Sequence, residues 1–267
     1  MDTLALKLVL TPALVGTASL AGRRWGPAVG GWFVGFPLTS GPVAFFLAIG
    51  QGHAFAAAAA LGTLAGTASQ AVFCLTYAWL AFRVPWAVAL LGGLVAFAGA
   101  TLLLQGRDLA LAPTTIGVMA VIALAAGLMP KTAPVAAATG RAPRWDIPAR
   151  MVVATVFVLV LTSLAPTLGP QLTGLLSPFP LFGAVLAVFA HQLQGPAAAA
   201  GVLRGLVLGL FAFGAFFVVL AALLVSWGLG PAFAVASAVV LLVQVGALRV
   251  LRPRRRPEAD PAREAPV

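Results

Sequence analysis

Acidic side chains are scarce. Aspartate and glutamate total six in 267 residues, at Asp2, Asp108, Asp146, Glu258, Asp260 and Glu264, and none falls inside an apolar run. A proton or Na⁺ coupling site built on an intramembrane carboxylate is thereby excluded. The single cysteine, Cys74, rules out a disulfide framework or a cysteine-based metal site within the chain. Only His53 and His191 supply an imidazole. With no paired carboxylates, no His/Glu metal spacing, no Ser/His/Asp set and no Gly-rich phosphate loop, neither enzymatic chemistry nor a cofactor or metal is expected. Charged residues make up 8% of the chain and hydrophobic ones 61%, with a mean hydropathy of +1.06. A soluble domain carries about 25% charged residues, so this composition belongs to an integral membrane protein. The net charge of +10 does not point to nucleic acid, because the basic residues sit in short clusters between apolar runs. Such clusters record topology or contact anionic headgroups. Membrane lipids and a small-molecule solute are the expected partners; the oligomeric state is not encoded in any feature we recognise. Lysine is limited to Lys7 and Lys131 while Ala, Gly, Pro and Arg abound, a usage that fits a GC-rich bacterial genome.

What the chain does contain is an internal repeat. The stretch from Gly26-Pro27 through Gly31 to Phe36-Pro37-Leu38 recurs as Gly169-Pro170 through Gly174 to Phe179-Pro180-Leu181, an offset of 143 residues. The register holds through Phe46/Phe189, Gln51-Gly52/Gln194-Gly195, Gly62/Gly205, Gly66/Gly209, Phe73/Phe216 and Leu80/Leu223. About a third of the positions from Gly26 to Leu80 match, and self-similarity at a fixed period marks architecture.

A bilayer core about 30 Å thick requires about 20 apolar residues per helix. On that measure the fold class is all-α: a polytopic membrane helix bundle of about nine transmembrane helices, in two inverted four-helix repeats joined by a linker helix. The spans run over about 4–21, 27–50, 54–82, 84–104, 114–129, 150–168, 171–193, 196–227 and 231–251. Residues 1–105 form the first repeat, 106–146 the linker helix and a cytoplasmic loop, 147–251 the second repeat, and 252–267 a disordered basic, Pro-rich tail. The first span lacks the features of a removable signal peptide and is expected to persist. Arg23-Arg24, Arg83, the Lys131–Arg150 loop and the Arg252–Arg256 cluster fall on one side if the spans alternate. The positive-inside rule then puts the C-terminus in the cytoplasm and the N-terminus outside, in a bacterial inner membrane. Because one span separates two sets of four, the second set enters the membrane in the opposite sense.

Candidate functional residues gather where the second and seventh spans carry proline. Phe36, Pro37, Thr39 and Ser40, with Gly41-Pro42, fall near mid-bilayer, as do Phe179 and Pro180. Proline removes a backbone donor, and freed carbonyls at membrane depth need side chains, neighbouring helices or water. Two broken helices around a polar cavity, or two proline kinks packed against protein, are both consistent with this pattern. Gln51, His191, Gln194 and Arg204 complete the candidate lining. Arg204 is a feature of one half only, since Leu61 is its counterpart. Positive groups at Lys7, Arg150 and Arg204, in or at the ends of spans that contain no acidic residue, favour a neutral or anionic ligand. The glycines four apart at Gly62/Gly66 and at Gly201/Gly205/Gly209 are read as helix-packing positions, with the third and eighth spans in tight contact.

Each half resembles the small four-span GlpM-type bacterial membrane proteins. The resemblance rests on a basic residue in the first span, Gly-Leu-Leu-Ser-Pro-Phe-Pro at 174–180, His191 ahead of a glycine, and a long third span with Arg204. In the first half Ala48 and Leu61 replace the histidine and arginine. The layout of four spans, one linker and four inverted spans is also similar to the drug/metabolite transporter superfamily and its small multidrug-resistance relatives. The first-span glutamate of those exporters is missing here, so their proton coupling does not carry over. These resemblances imply a secondary transporter or permease for a small neutral or anionic solute or a lipid-linked molecule. A non-transporting scaffold or accessory membrane protein is the alternative.

Overall fold

The structure is a computed structural model and describes residues 3–25, 37–130 and 146–251. Phe36, the 26–35 half of the repeated motif, most of the Lys131–Arg150 loop and the 252–267 tail lie outside the described residues. Within them the chain is all helical: α1 (Thr3–Trp25), α2 (Ser40–Gln51), α3 (His53–Leu80), α4 (Trp86–Leu104), α5 (Leu111–Leu128), α6 (Asp146–Leu176), α7 (Leu181–Gln194), α8 (Pro196–Trp227) and α9 (Leu229–Leu251). Five of these are long and apolar enough to cross a membrane, over His53–Leu80, Trp86–Leu104, Leu111–Leu128, Ile147–Leu176 and Pro196–Trp227. Shorter apolar helices cover Leu4–Thr17, Ser40–Gln51, Leu181–Gln194 and Leu229–Val245. Large apolar side chains stand exposed on the outer helices, Ile116 at 72% and Leu103 at 70%, as a lipid-facing surface requires.

The helix boundaries follow the offset read in the sequence. α3 and α8 begin 143 residues apart, at His53 and Pro196, and so do α4 and α9, at Trp86 and Leu229. Gly52 (φ 87°, ψ 165°) and Gly195 (φ 87°, ψ −178°) make the same turn into the long helix that follows each. That region of backbone space is open to glycine and strained for other residues. α1 runs antiparallel to α6, and α3 to α8. Lys7 near the start of α1 bonds Thr162 late in α6, and a β-carbon on Gly16 would touch the Met151 sulfur near the start of α6. His53, which opens α3, likewise lies beside Gly228 just past the end of α8.

α3 and α8 form the centre and pack most extensively on each other. Alanine and glycine dominate α3, so its neighbours approach its backbone. α5 lies against both central helices, with its Met119 and the α3 residue Leu64 bracketing Gly214 of α8. The glycines divide into two groups. A β-carbon on Gly62 would come 2.6 Å from the Gln171 carbonyl oxygen, and one on Gly66 would come 2.5 Å from that of Leu175. Their close partner is therefore the short segment 170–176 of α6, and not α8. Gly201 and Gly205 of α8 would meet nothing within 4 Å, so the packing role expected for them is corrected. Between α3 and α8, Leu64 lies against Gly214, while Leu64, Phe217 and Leu220 are all fully buried.

Candidate functional site

The seventh span is not one continuous helix. α6 turns at Gly169 (φ 74°), where a non-helical residue precedes Pro170. Proline is well suited to the first position of the new helical segment. That segment ends at Leu176, and Ser177–Pro180 are non-helical before α7 begins at Leu181. α7, of 14 residues, and α2, of 12, are about 21 Å and about 18 Å long at 1.5 Å per residue, each short of the 30 Å hydrocarbon core. α2 is preceded by a turn at Leu38-Thr39. Pro42 thus sits in its first turn, where an N–H would have no intrahelical acceptor, and costs no hydrogen bond there.

The turn that precedes α2 meets the interruption that precedes α7. The Ser40 hydroxyl donates to the Ser177 carbonyl oxygen at 2.8 Å, and both serines are 1% exposed. The remaining backbone is locally reconciled. Ser177 N–H donates to the Thr173 and Gly174 carbonyls, Phe179 N–H to Leu176, and Leu181 N–H to Phe179 at 2.7 Å. Across the gap, Gly41 N–H donates to Pro37 and Ala184 N–H to Pro180. The Pro178 ring lies against Gly66 of α3, and Phe97 of α4 packs edge-on to Phe179 at 5.5 Å between centroids. Three buried side-chain oxygens on the elements that pack here have no hydrogen-bond partner. Ser177 Oγ is in the interruption itself; Gln70 Oε1 lies one turn beyond Gly66 on α3; Thr101 Oγ1 lies one turn beyond Phe97 on α4. The neighbouring Ser69 Oγ is also buried and unpartnered. A buried polar group left unsatisfied costs about 1–3 kcal/mol. A buried oxygen without a protein partner is suited to accept a hydrogen bond from water or a bound polar group.

The sequence-derived residues separate into two groups. Pro37, Thr39, Ser40, Phe179 and Pro180 lie at the meeting of the interruptions, with Pro37, Ser40 and Pro180 buried. Phe36 lies outside the described residues. Gln51, Gln194 and Arg204 are exposed and stand away from that centre, at the far ends of α2 and α7 and on the outer face of α8. His191 is half-buried near the end of α7, where its Nδ1 is 3.4 Å from the hydroxyl of the buried Tyr77. Two surface grooves accompany the site. One of about 190 Å³ is lined by residues including Phe157, Leu161, Leu176 and Phe179; the other, of about 220 Å³, runs between Trp86 and Leu90 of α4 and Val185 and Phe189 of α7. Both are wholly apolar, and none of the predicted polar residues lines them.

Sequence reasoning passed over Ser69, Gln70, Thr101 and Ser177, and also Gln244. A signal was present for one pair. Thr101 and Gln244 stand at the repeat offset, are both polar within apolar runs, and are both buried with an unpartnered oxygen. Ser177, by contrast, faces Val34 in the alignment of the halves and carries no such mark. Compared with protein-family models, with curated proteins and with solved structures, the chain matches none.

Proposed function

We propose that the protein is a secondary transporter for a small neutral or anionic solute or lipid-linked molecule, bound near the bilayer midplane between the Pro37–Thr39 and Ser177–Pro180 interruptions. The observation that carries this reading is the buried Ser40–Ser177 hydrogen bond. It joins two half-length helices whose N-termini face a common centre. Discontinuous helices at the interface of inverted repeats are a recurrent way of building such a site. On this reading all nine helices cross or enter the membrane, α5 links two four-helix repeats, and the antiparallel pairs α1/α6 and α3/α8 reflect the inversion. The halves retain their GlpM-type likeness, and the layout that of the drug/metabolite transporters. The C-terminus lies in the cytoplasm of a bacterial cell and the N-terminus outside.

The test is untargeted profiling of solutes and lipids in vesicles carrying the protein, empty vesicles, and vesicles carrying Ser40→Val. One chemical class should accumulate or deplete with the parent and return toward the empty-vesicle level in the variant. Identical profiles in all three preparations would overturn the transport reading. They would favour the second reading, a non-transporting scaffold or accessory protein, for which the apolar grooves and the exposed Gln51, Gln194 and Arg204 speak.

A further inference from the structure

We infer that Lys7, Thr11 and Thr162 form a binding site for an oxyanion, a carboxylate or phosphate group, at the end of the bundle where α1 begins. Lysines in apolar helices usually extend toward water, carrying the charge out of the hydrocarbon. Lys7 turns the other way. Its Nζ donates to Thr162 Oγ1 at 2.9 Å and lies 5.7 Å from the centroid of the Phe46 ring. Both of these partners are more than nine-tenths buried, at 7% and 3% exposed. The Thr162 hydroxyl proton is already committed to the Val158 carbonyl at 2.7 Å, so its oxygen lone pair is free to receive the lysine.

That leaves an ammonium with three donors holding one neutral hydroxyl and one ring face. No ion pair reaches it among the described residues. The described acids lie elsewhere: Asp108 is in the α4–α5 connection, and Asp146 opens α6 sixteen residues before Thr162, about 24 Å along the helix. A charge turned inward in a low-dielectric setting is costly until it is paired. The second, independent observation is Thr11. Its Oγ1 is fully buried, has no hydrogen-bond partner, and lies one turn from Lys7 on the same face of α1. The free ammonium hydrogens and the Thr11 hydroxyl together offer donors to two oxygens of one anion, over an aromatic floor that suits an apolar remainder. Arg204, exposed on α8, has no such setting.

Two sources can supply this chemistry, a free organic anion and an anionic lipid headgroup, and the site holds whether or not the protein transports. Full-length protein in phosphatidylcholine nanodiscs is heated with and without benzoate. In parallel, protein from mixed phosphatidylcholine and phosphatidylglycerol membranes is examined by native mass spectrometry for retained lipid. A benzoate-dependent rise in the unfolding midpoint, kept in Lys7→Arg and lost in Lys7→Met, supports the site with a free anion as ligand. Retained phosphatidylglycerol that Lys7→Met loses supports it with a headgroup as ligand. In the arm that responds, Thr11→Val should weaken binding about tenfold, as loss of one charge-assisted hydrogen bond does. Parent and Lys7→Met behaving identically in both arms overturns the inference. If Lys7→Met fails to insert, an unchanged affinity in Thr11→Val overturns it instead.

Discussion

A β-carbon on Gly62 would come 2.6 Å from a backbone carbonyl oxygen, whereas one on its counterpart Gly205 would meet nothing within 4 Å. The same residue type at the same repeat position therefore answers to different forces. Gly62→Ala must push α3 away from the 170–176 segment and should cost about 1–3 kcal/mol, the usual range for overpacking. Gly205→Ala meets open space in a helix and removes only backbone freedom from the unfolded chain, so it should be neutral or stabilising by up to about 1 kcal/mol. Thermal unfolding in one detergent should lower the midpoint for the first variant and leave or raise it for the second. Equal gains in both variants would show that the glycines act through intrinsic helix preference alone and that the close approach at Gly62 costs nothing. Tyr77 offers a milder case. Its hydroxyl is 3.4 Å from His191 Nδ1, a long contact, while its ring is buried and packs against Phe73. Tyr77→Phe retains the ring and should cost less than about 1 kcal/mol by the same measurement.

At the level of elements, the question is what a helix interruption in a membrane requires. The 177–180 interruption is tolerated because its backbone groups find each other and Ser40, in the manner expected of non-helical backbone enclosed by protein. The pair Ser40→Cys and Ser177→Cys in a Cys74→Ala background should therefore be joined efficiently by a short bifunctional thiol-reactive reagent in native membranes. Absence of the crosslinked species, with both cysteines still labelled after denaturation, would separate the two interruptions. The connections are equally specific. Gly195 and Gly52 hold a backbone conformation that costs other residues about 1–3 kcal/mol. Gly195→Ala and Gly52→Ala should lower the unfolding midpoint by similar amounts if the two connections are equivalent. A loss confined to one would break that equivalence.

For the whole molecule, the inverted reading predicts that reporters inserted at Gly169 and fused after Val267 lie on opposite sides of the membrane; reporters on the same side would replace inversion with a parallel duplication. Much of the architecture was determined by the sequence alone. Apolar length excludes a soluble fold whatever the packing, and a 143-residue offset carried by Phe-Pro-Leu and Gln-Gly is a property of the residues themselves. Helix starts at 53/196 and 86/229 then follow from local signals, because glycine and proline punctuate a helix through their own backbone geometry. The candidate site was visible only where it depended on such punctuation, at Pro37, Ser40 and Pro180. Which polar side chains accompany it was decided by tertiary structure. Gln51 and Gln194 share the repeat but end at exposed helix termini, while Gln70, Thr101 and Ser177 are buried, each with a side-chain oxygen that has no partner. Lys7 gave no sign that it would turn inward. The direction of a long side chain depends on what stands opposite it, and Thr162 and Phe46 reach it only because α6 and α2 pack on α1. Periodicity and punctuation act between residues adjacent along the chain, but polar pairing at membrane depth acts between residues that only folding makes neighbours.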